Sequence, residues 1–443
     1  MKLLAGFSKT SLGRLLLRGA GGSLGVTVAG MALAMGLQLL LARLLGTEHY
    51  GVYAYSLSIV SLLVLAARMG MDTAAVRFVS QYGAAKDWNL LRGFLRWAHL
   101  RVLGVALGLG VLLVSVAWLF RQSLSDGLPS TLAWGSLLIP CLGLLGLRKG
   151  ALQGLRRVAL GQIPEQVVRP VLLGCLLGLF FWLVGRSPQA PEAMALATLA
   201  ALLATLAAGW LLKSNLPLEV KEAAPSQLGR KWLGVSLPLW LVAGLRQILH
   251  QTDILLVGAL LGTTEAGIYG VATRLAPLVA LGLNAVNSIA APLISELYAQ
   301  QRHRELQTLV TQAAWAASLA SLPLGLGLVL FRHPVLSLFG EDFRRGAPVV
   351  VILCLAQLVN AFTGPVGWLL NMTGHQKVNA RILSWITGLN LLLNLPAILW
   401  LGLPGAALVT GGLQAVKNLW TWFEVRRRLG VNSSILPGSG MAI

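Results

Sequence analysis

The sequence predicts an all-α integral membrane protein of about twelve transmembrane helices, arranged as two six-helix repeats around a central cavity. Three observations predict it. Of 443 residues, 56% are apolar and only 11% charged, whereas soluble domains carry about 25% charged residues. The apolar residues gather into twelve stretches, each long enough for one crossing of roughly 20 residues. A short motif, Leu44-Leu45-Gly46-Thr47 with Gly51 and Tyr53, recurs 216 residues later as Leu260-Leu261-Gly262-Thr263 with Gly267 and Tyr269.

The apolar stretches run at about 21–45, 51–82, 94–120, 131–153, 165–185, 191–213, 232–261, 266–298, 307–331, 346–372, 380–401 and 404–425. The first follows Lys2, Lys9, Arg14 and Arg18, which are interleaved with Leu and Phe7. That start reads either as an amphipathic approach on the membrane surface or as a frayed tail. Ala32-Leu33-Ala34 imitates a signal cleavage site, but apolar sequence continues to Leu45, so an uncleaved first helix is expected. The helices beginning near Tyr50 and Glu265 extend beyond the hydrocarbon and end at Gln81-Tyr82-Gly83 and Gln300-Gln301-Arg302.

The net charge of +20 would suggest nucleic acid in a soluble protein, but the basic residues flank apolar segments. With the N-terminus inside, 25 of the 35 Lys and Arg residues fall in or beside cytoplasmic segments and six fall opposite. Arg68, Arg246, Arg274 and Lys417 remain within spans. The positive-inside rule therefore places both termini in the cytoplasm of a bacterial inner membrane protein.

Six crossings precede and six follow the polar linker that carries Pro217, Pro225 and several charges. The expected division is an N-terminal lobe at 1–213, a cytoplasmic linker at 214–230 and a C-terminal lobe at 231–443. An even number of helices per repeat makes the copies parallel. Spacings such as Gly174/Gly178 and Gly258/Gly262 read as close helix contacts or as hinges. Cys141, Cys175 and Cys354 lack CxxC spacing and read as small core residues. Trp118, Trp182, Trp368 and Trp400 near span ends read as interfacial anchors.

Residues Ala42 to Gly46, Gly51-Val52-Tyr53 and Val76-Arg77-Phe78-Val79 resemble the N-terminal region of polysaccharide flippases. The second half agrees through Asp253 to Gly258, Gly267-Ile268-Tyr269, Ala272 to Leu275, Phe339 to Phe343 and Gly402 to Ala407. These flippases belong to the multidrug/oligosaccharidyl-lipid/polysaccharide exporter superfamily, and the resemblance spans roughly residues 20–430. It implies transport of an undecaprenyl-pyrophosphate-linked oligosaccharide from the cytoplasmic to the periplasmic leaflet, for surface polysaccharide or O-antigen synthesis. The implied partners are the lipid-linked oligosaccharide, membrane lipids and a polysaccharide polymerase, with no enzyme chemistry, cofactor or nucleic acid.

Such a cargo has an anionic pyrophosphate, so its carrier needs cations inside the membrane. Ionisable side chains within spans cost from about 2.5 kcal/mol upward and default to interior-facing functional positions. Arg274 lies deep in its span with Pro277 one turn on, and either contacts the anionic headgroup or pairs with a carboxylate. Arg246, His250 and Asp253 stand at i, i+4 and i+7 on one stripe. They read either as a self-satisfying ion pair or as a coupling or gating device in which Asp253 and His250 titrate. Gln414, Lys417, Thr421 and Glu424 share one face of the last helix, placing Lys417 near mid-depth. Arg68 and Asp72, one turn apart, pair or snorkel or else join the substrate site.

A cation-coupled multidrug exporter of the same superfamily would need acidic rather than basic residues in its cavity, and four intramembrane cations argue against it. A membrane-embedded polysaccharide-assembly enzyme usually needs an ordered external loop, whereas the external connections here reach only about fifteen residues. Asn371-Met372-Thr373 and Asn432-Ser433-Ser434 match glycosylation sequons by chance in this topology. No P-loop, paired catalytic carboxylates, Ser/His/Asp arrangement or metal-ligand spacing stands out.

Overall fold

A computed structural model describes residues 11–226 and 228–434; the side chains of residues 11–24, 242, 245, 246, 249, 250, 285, 288, 289 and 292 lie outside that description. The expected amphipathic approach at residues 1–20 falls outside it. The described chain is helical, with no strand. It contains α1 (Ser11–Arg68), α2 (Met71–Ala85), α3 (Trp88–Leu119), α4 (Leu128–Gly154), α5 (Val158–Ile163), α6 (Arg169–Val184), α7 (Ala190–Asn215) and α8 (Leu218–Glu222). There follow α9 (Gly229–Leu261), α10 (Thr263–Leu275), α11 (Leu281–Ala299), α12 (His303–Leu330), α13 (Arg332–Ser337), α14 (Ala347–Thr363), α15 (Val366–Met372), α16 (Gln376–Leu401) and α17 (Leu403–Leu429).

Nine segments among the described residues are long and apolar enough to cross a membrane. The first of them, Gly25–Ala85, takes in the expected span 21–45 from Gly25 onward and all of 51–82. The expected spans 232–261 and 404–425 coincide with α9 and α17, which have 33 and 27 residues but are not among the nine.

Local sequence explains most boundaries. Pro129, Pro191, Pro348 and Pro404 sit in first turns, where a missing N–H costs nothing. Asp87 caps α3 by accepting from the Leu90 N–H at 3.1 Å. The repeated motif has a structural counterpart: Gly46 breaks α1 at φ 67°, ψ 176°, and Gly262 precedes α10 at φ 101°, ψ 164°. Positive φ with extended ψ is a backbone region that glycine alone enters cheaply.

The long second helix of each repeat, a single apolar stretch in the sequence, is interrupted in both. Residues 51–82 break at Met69 and Gly70, both at positive φ, with α2 resuming at Met71. A Cβ at Gly70 would enter the space of the Ser236 carbonyl. In the second repeat Pro277 stands in a 3-10 turn, Ala276–Ala280, because proline withholds the N–H that a continuous α-helix needs.

The chain forms two compact units, residues 1–248 and 249–443, which divide within α9. In the first, Phe78, Tyr82, Phe94, Trp97 and Trp232 form an aromatic core. The indole of Trp232 donates to the Tyr82 hydroxyl at 3.0 Å and meets Phe94 edge-on. The polar segment 214–230 is fastened to α3, since Arg92 donates to the Ala223 carbonyl at 2.6 Å and Ser226 N–H to the Asn89 carbonyl at 3.1 Å. In the second unit a core around Ile294, Leu306, Leu369, Leu370 and Val425 encloses Val431. The backbone of Asn432 there pairs twice with the Gln307 amide, at 2.7 and 2.8 Å.

Two packing expectations need correction. Cys141 and Cys354 are buried, but Cys175 is exposed on α6. Gly174 and Gly178 on that same helix have no neighbour within contact distance among the described residues, so they form no packing seam there. The seam lies instead at Gly146, Gly150 and Gly154 of α4, where added Cβ atoms would strike Arg68, the Asp72 backbone and Val79. Trp118, Trp182, Trp368 and Trp400 are all exposed, as interfacial anchors require.

Candidate functional site

In the second unit, the buried face of α16 carries Ile386, Asn390, Asn394 and Ile398 at helical spacing, so two amides share an otherwise apolar stripe. Gly405 lets α17 approach it, because a Cβ there would collide with the Ala397 carbonyl. These surfaces and α10 enclose Asp253, which is 4% exposed. Its Oδ2 accepts from the Tyr269 hydroxyl at 3.0 Å and from Thr410 Oγ1 at 2.6 Å, while its Oδ1 accepts from Asn394 Nδ2 at 2.9 Å. Asn390 Nδ2 donates in turn to Thr410 Oγ1 at 2.9 Å.

Those donors are all neutral, so hydrogen bonding rather than an opposite charge offsets the cost of burying this carboxyl group. The amide oxygens of Asn390 and Asn394 are buried with no hydrogen-bond partner among the described residues. The cluster therefore holds one carboxylate and two buried amide oxygens with acceptor capacity to spare. Arg246 and His250 precede Asp253 on α9, but their side chains lie outside the described residues.

Thr410 extends the expected stripe of α17, lying seven residues before Lys417 and so about 10 Å from it along the helix. Lys417 is half-buried there, and Thr421 donates to its carbonyl at 2.7 Å. Glu424 is instead drawn to Arg428 at 2.6 Å. Arg274 is half-buried in the last turn of α10, directly before the break at Ala276.

The first unit gathers a different set. Arg68 closes α1 and Asp72 opens α2, and their side chains approach to 3.6 Å across the Met69–Gly70 break. Arg68 also donates to the Leu142 carbonyl at 2.8 Å and lies 4.0 Å from Glu165, which holds Lys149 at 2.8 Å. Glu165 stands in a π-helical turn, Pro164–Val168. Such wide turns recur at functional positions. Arg68 is thus joined to two carboxylates, and its Nε is buried with no hydrogen-bond partner among the described residues.

Sequence reasoning missed Tyr269 as a site residue, and Asn390, Asn394, Thr410, Lys149 and Glu165 altogether. Two asparagines at i and i+4 within an apolar run, and one acid at the start of an apolar span, were the available signals. Among the described residues no cluster of three or more His, Cys, Asp or Glu residues could hold a metal ion.

Comparison with known proteins follows the same lines. The polysaccharide biosynthesis protein family matches residues 16–298, and the MatE family matches residues 238–395. The probable low-salt glycan biosynthesis flippase Agl15 of Haloferax volcanii is 24% identical over 168 residues, covering 38% of this chain and 36% of that protein. The probable flippase AglR of the same organism is 27% identical over 189 residues, covering 41% and 40%. The matched stretch spans well under half the length of either curated relative. An inward-facing multidrug resistance MATE family transporter of the MOP superfamily superposes with a TM-score of 0.73 at 14% identity, covering 93% of this chain and 98% of that one. The lipid II flippase MurJ, inward closed, gives 0.69 at 14% identity, covering 91% and 87%. At that identity the likeness is one of fold.

Proposed function

The chain belongs to the polysaccharide biosynthesis protein family, and from that premise we propose that it is a membrane flippase whose cargo is an undecaprenyl-pyrophosphate-linked oligosaccharide. The cargo moves from the cytoplasmic to the periplasmic leaflet of a bacterial inner membrane by alternating access, ahead of polymerisation. The observation that carries this reading is the set of cations inside apolar helices, above all Arg274, half-buried beside the break made by Pro277. A guanidinium presents a planar fork of donors that suits pyrophosphate oxygens. Lys417 supplies further positive charge in the same unit, and Arg246 is a further candidate from its place in the sequence alone. We assign Arg68 chiefly to holding the α1–α2 break, because its two carboxylate neighbours already engage its charge.

Asp253 serves as the coupling group, with His250 beside it on the same stripe. An ionised carboxylate among neutral donors is the form most readily neutralised by an arriving proton. A monovalent cation is the second reading, favoured by the unpartnered amide oxygens of Asn390 and Asn394, which supply ligands next to the carboxylate. Either occupant would change the charge that α9, α10, α16 and α17 enclose.

Deleting the gene tests the cargo assignment. Lipid-linked oligosaccharide is expected to accumulate on the cytoplasmic face while surface polysaccharide is lost. Loss of oligosaccharide assembly with no accumulated intermediate would point to an enzyme instead.

A further inference from the structure

A partly buried cation near the end of the candidate span Leu128–Gly154 lies in the first unit, apart from the charge network at Arg68. Arg148 of α4 donates through Nη1 to the Thr205 carbonyl of α7 and, at 3.4 Å, through Nε to His99 Nε2 of α3. His99 Nδ1 meets the Leu95 carbonyl at 2.7 Å, so it is the donor and Nε2 the acceptor. Both partners of Arg148 are therefore neutral, and Nη2 has no hydrogen bond among the described residues. No carboxylate pairs with this guanidinium within salt-bridge distance there.

The surroundings form a groove. α4 packs extensively on both α3 and α7, whereas α3 and α7 make at most marginal contact with each other. Arg148 thus sits on the floor between two walls. Gly209 of α7 makes room for it, since a Cβ there would come within 2.8 Å of Nη1. Arg148 lies six residues from the end of α4, about 9 Å along the helix axis. One turn nearer that same end, Arg96 follows the His99 stripe of α3 and Lys213 follows the Gly209 stripe of α7; both are exposed. Trp210 at the rim is 69% exposed, as an interfacial aromatic would be.

We propose that Arg148, Arg96 and Lys213 form a binding site for the phosphate of an anionic phospholipid, seated in the groove between α3 and α7 with its acyl chains against the flanking apolar surface. A partly buried guanidinium with neutral partners, one to two turns from the end of an apolar helix, suits an anion that approaches from the bilayer surface, and a lipid phosphate does so while its tails stay in hydrocarbon. The two outer cations stand where the remainder of an anionic headgroup emerges. That this is the cytoplasmic leaflet rests on the proposed topology; the contact itself does not.

Melting of the purified protein in neutral detergent, titrated with phosphatidylglycerol, phosphatidylcholine or inorganic phosphate, tests the site without any transport readout. Phosphatidylglycerol is expected to raise the wild-type melting temperature saturably, and the other two probes are not. In Arg148→Gln the phosphatidylglycerol midpoint is expected to weaken roughly tenfold or more, as loss of a charge-assisted bond implies. The double variant Arg96→Gln with Lys213→Gln is expected to weaken it severalfold. That double variant decides the matter if Arg148→Gln does not fold, since both its side chains are exposed and unbonded. An unchanged phosphatidylglycerol midpoint in the variants, equal stabilisation by phosphatidylcholine, or a rise reproduced by inorganic phosphate would each overturn the proposal.

Discussion

Replacing Asp253 separates its two jobs, holding four helices together and carrying a titratable charge. Asp253→Ala removes the acceptor of three donors, from Tyr269, Thr410 and Asn394. A buried donor left unpaired costs about 1–3 kcal/mol, so the loss is about 3 kcal/mol or more. For a unit of this size that lowers the melting temperature by roughly 6–12 °C. Asp253→Asn keeps the shape. The Asn394 amide can turn over to present its unpartnered oxygen, and the two hydroxyls can rotate, so the cost falls to about 1 kcal/mol. Thermal unfolding of the purified variants gives the first comparison, and flipping in vesicles under an imposed proton or sodium gradient gives the second. The asparagine variant is expected to fold and to lose its response to the gradient. A folded Asp253→Asn protein with the wild-type gradient response would refute the coupling role, and an alanine variant that melts like wild type would refute the packing argument.

Three further substitutions probe the first unit. Gly150→Ala is expected to cost about 1–3 kcal/mol, because its methyl group meets the Asp72 backbone, whereas Gly174→Ala on the open face of α6 is expected to leave melting within about 0.5 kcal/mol of wild type. Glu165→Gln leaves Lys149 without its carboxylate and Arg68 with Asp72 alone. The side chains are 22–31% exposed, which moderates the expected loss to about 1–2 kcal/mol, read as a fall in melting temperature that low salt enlarges.

What was legible in the sequence was whatever repeats along it. Apolar runs announced the helices, and the recurring Leu-Leu-Gly-Thr motif marked two glycines that share one backbone conformation. Pro277 announced its own break. Met69–Gly70 gave no comparable signal, because that break depends on how closely Ser236, far along the chain, approaches Gly70. The same distinction divides the candidate residues. Asp253 stands out as an acid in an apolar run, but its partners Asn394 and Thr410 come from helices 141 and 157 residues away. Arg148 and Lys149 are neighbours in sequence, yet one faces two neutral groups and the other faces Glu165, a difference that only the packing of α4 decides. Gly174/Gly178 misled for a related reason: small-residue spacing permits close contact without supplying a neighbour.

Flipping of a lipid-linked oligosaccharide in reconstituted vesicles, compared for wild type, Arg274→Lys and Arg274→Ala alongside their melting temperatures, tests the cationic-carrier account most directly. Lysine keeps the charge but loses the planar fork, so a graded series is expected: full, partial and abolished flipping, from three folded proteins. If Arg274 only balances a carboxylate, alanine would instead lower stability before transport suffers. Full flipping by a well-folded Arg274→Ala protein would contradict the account.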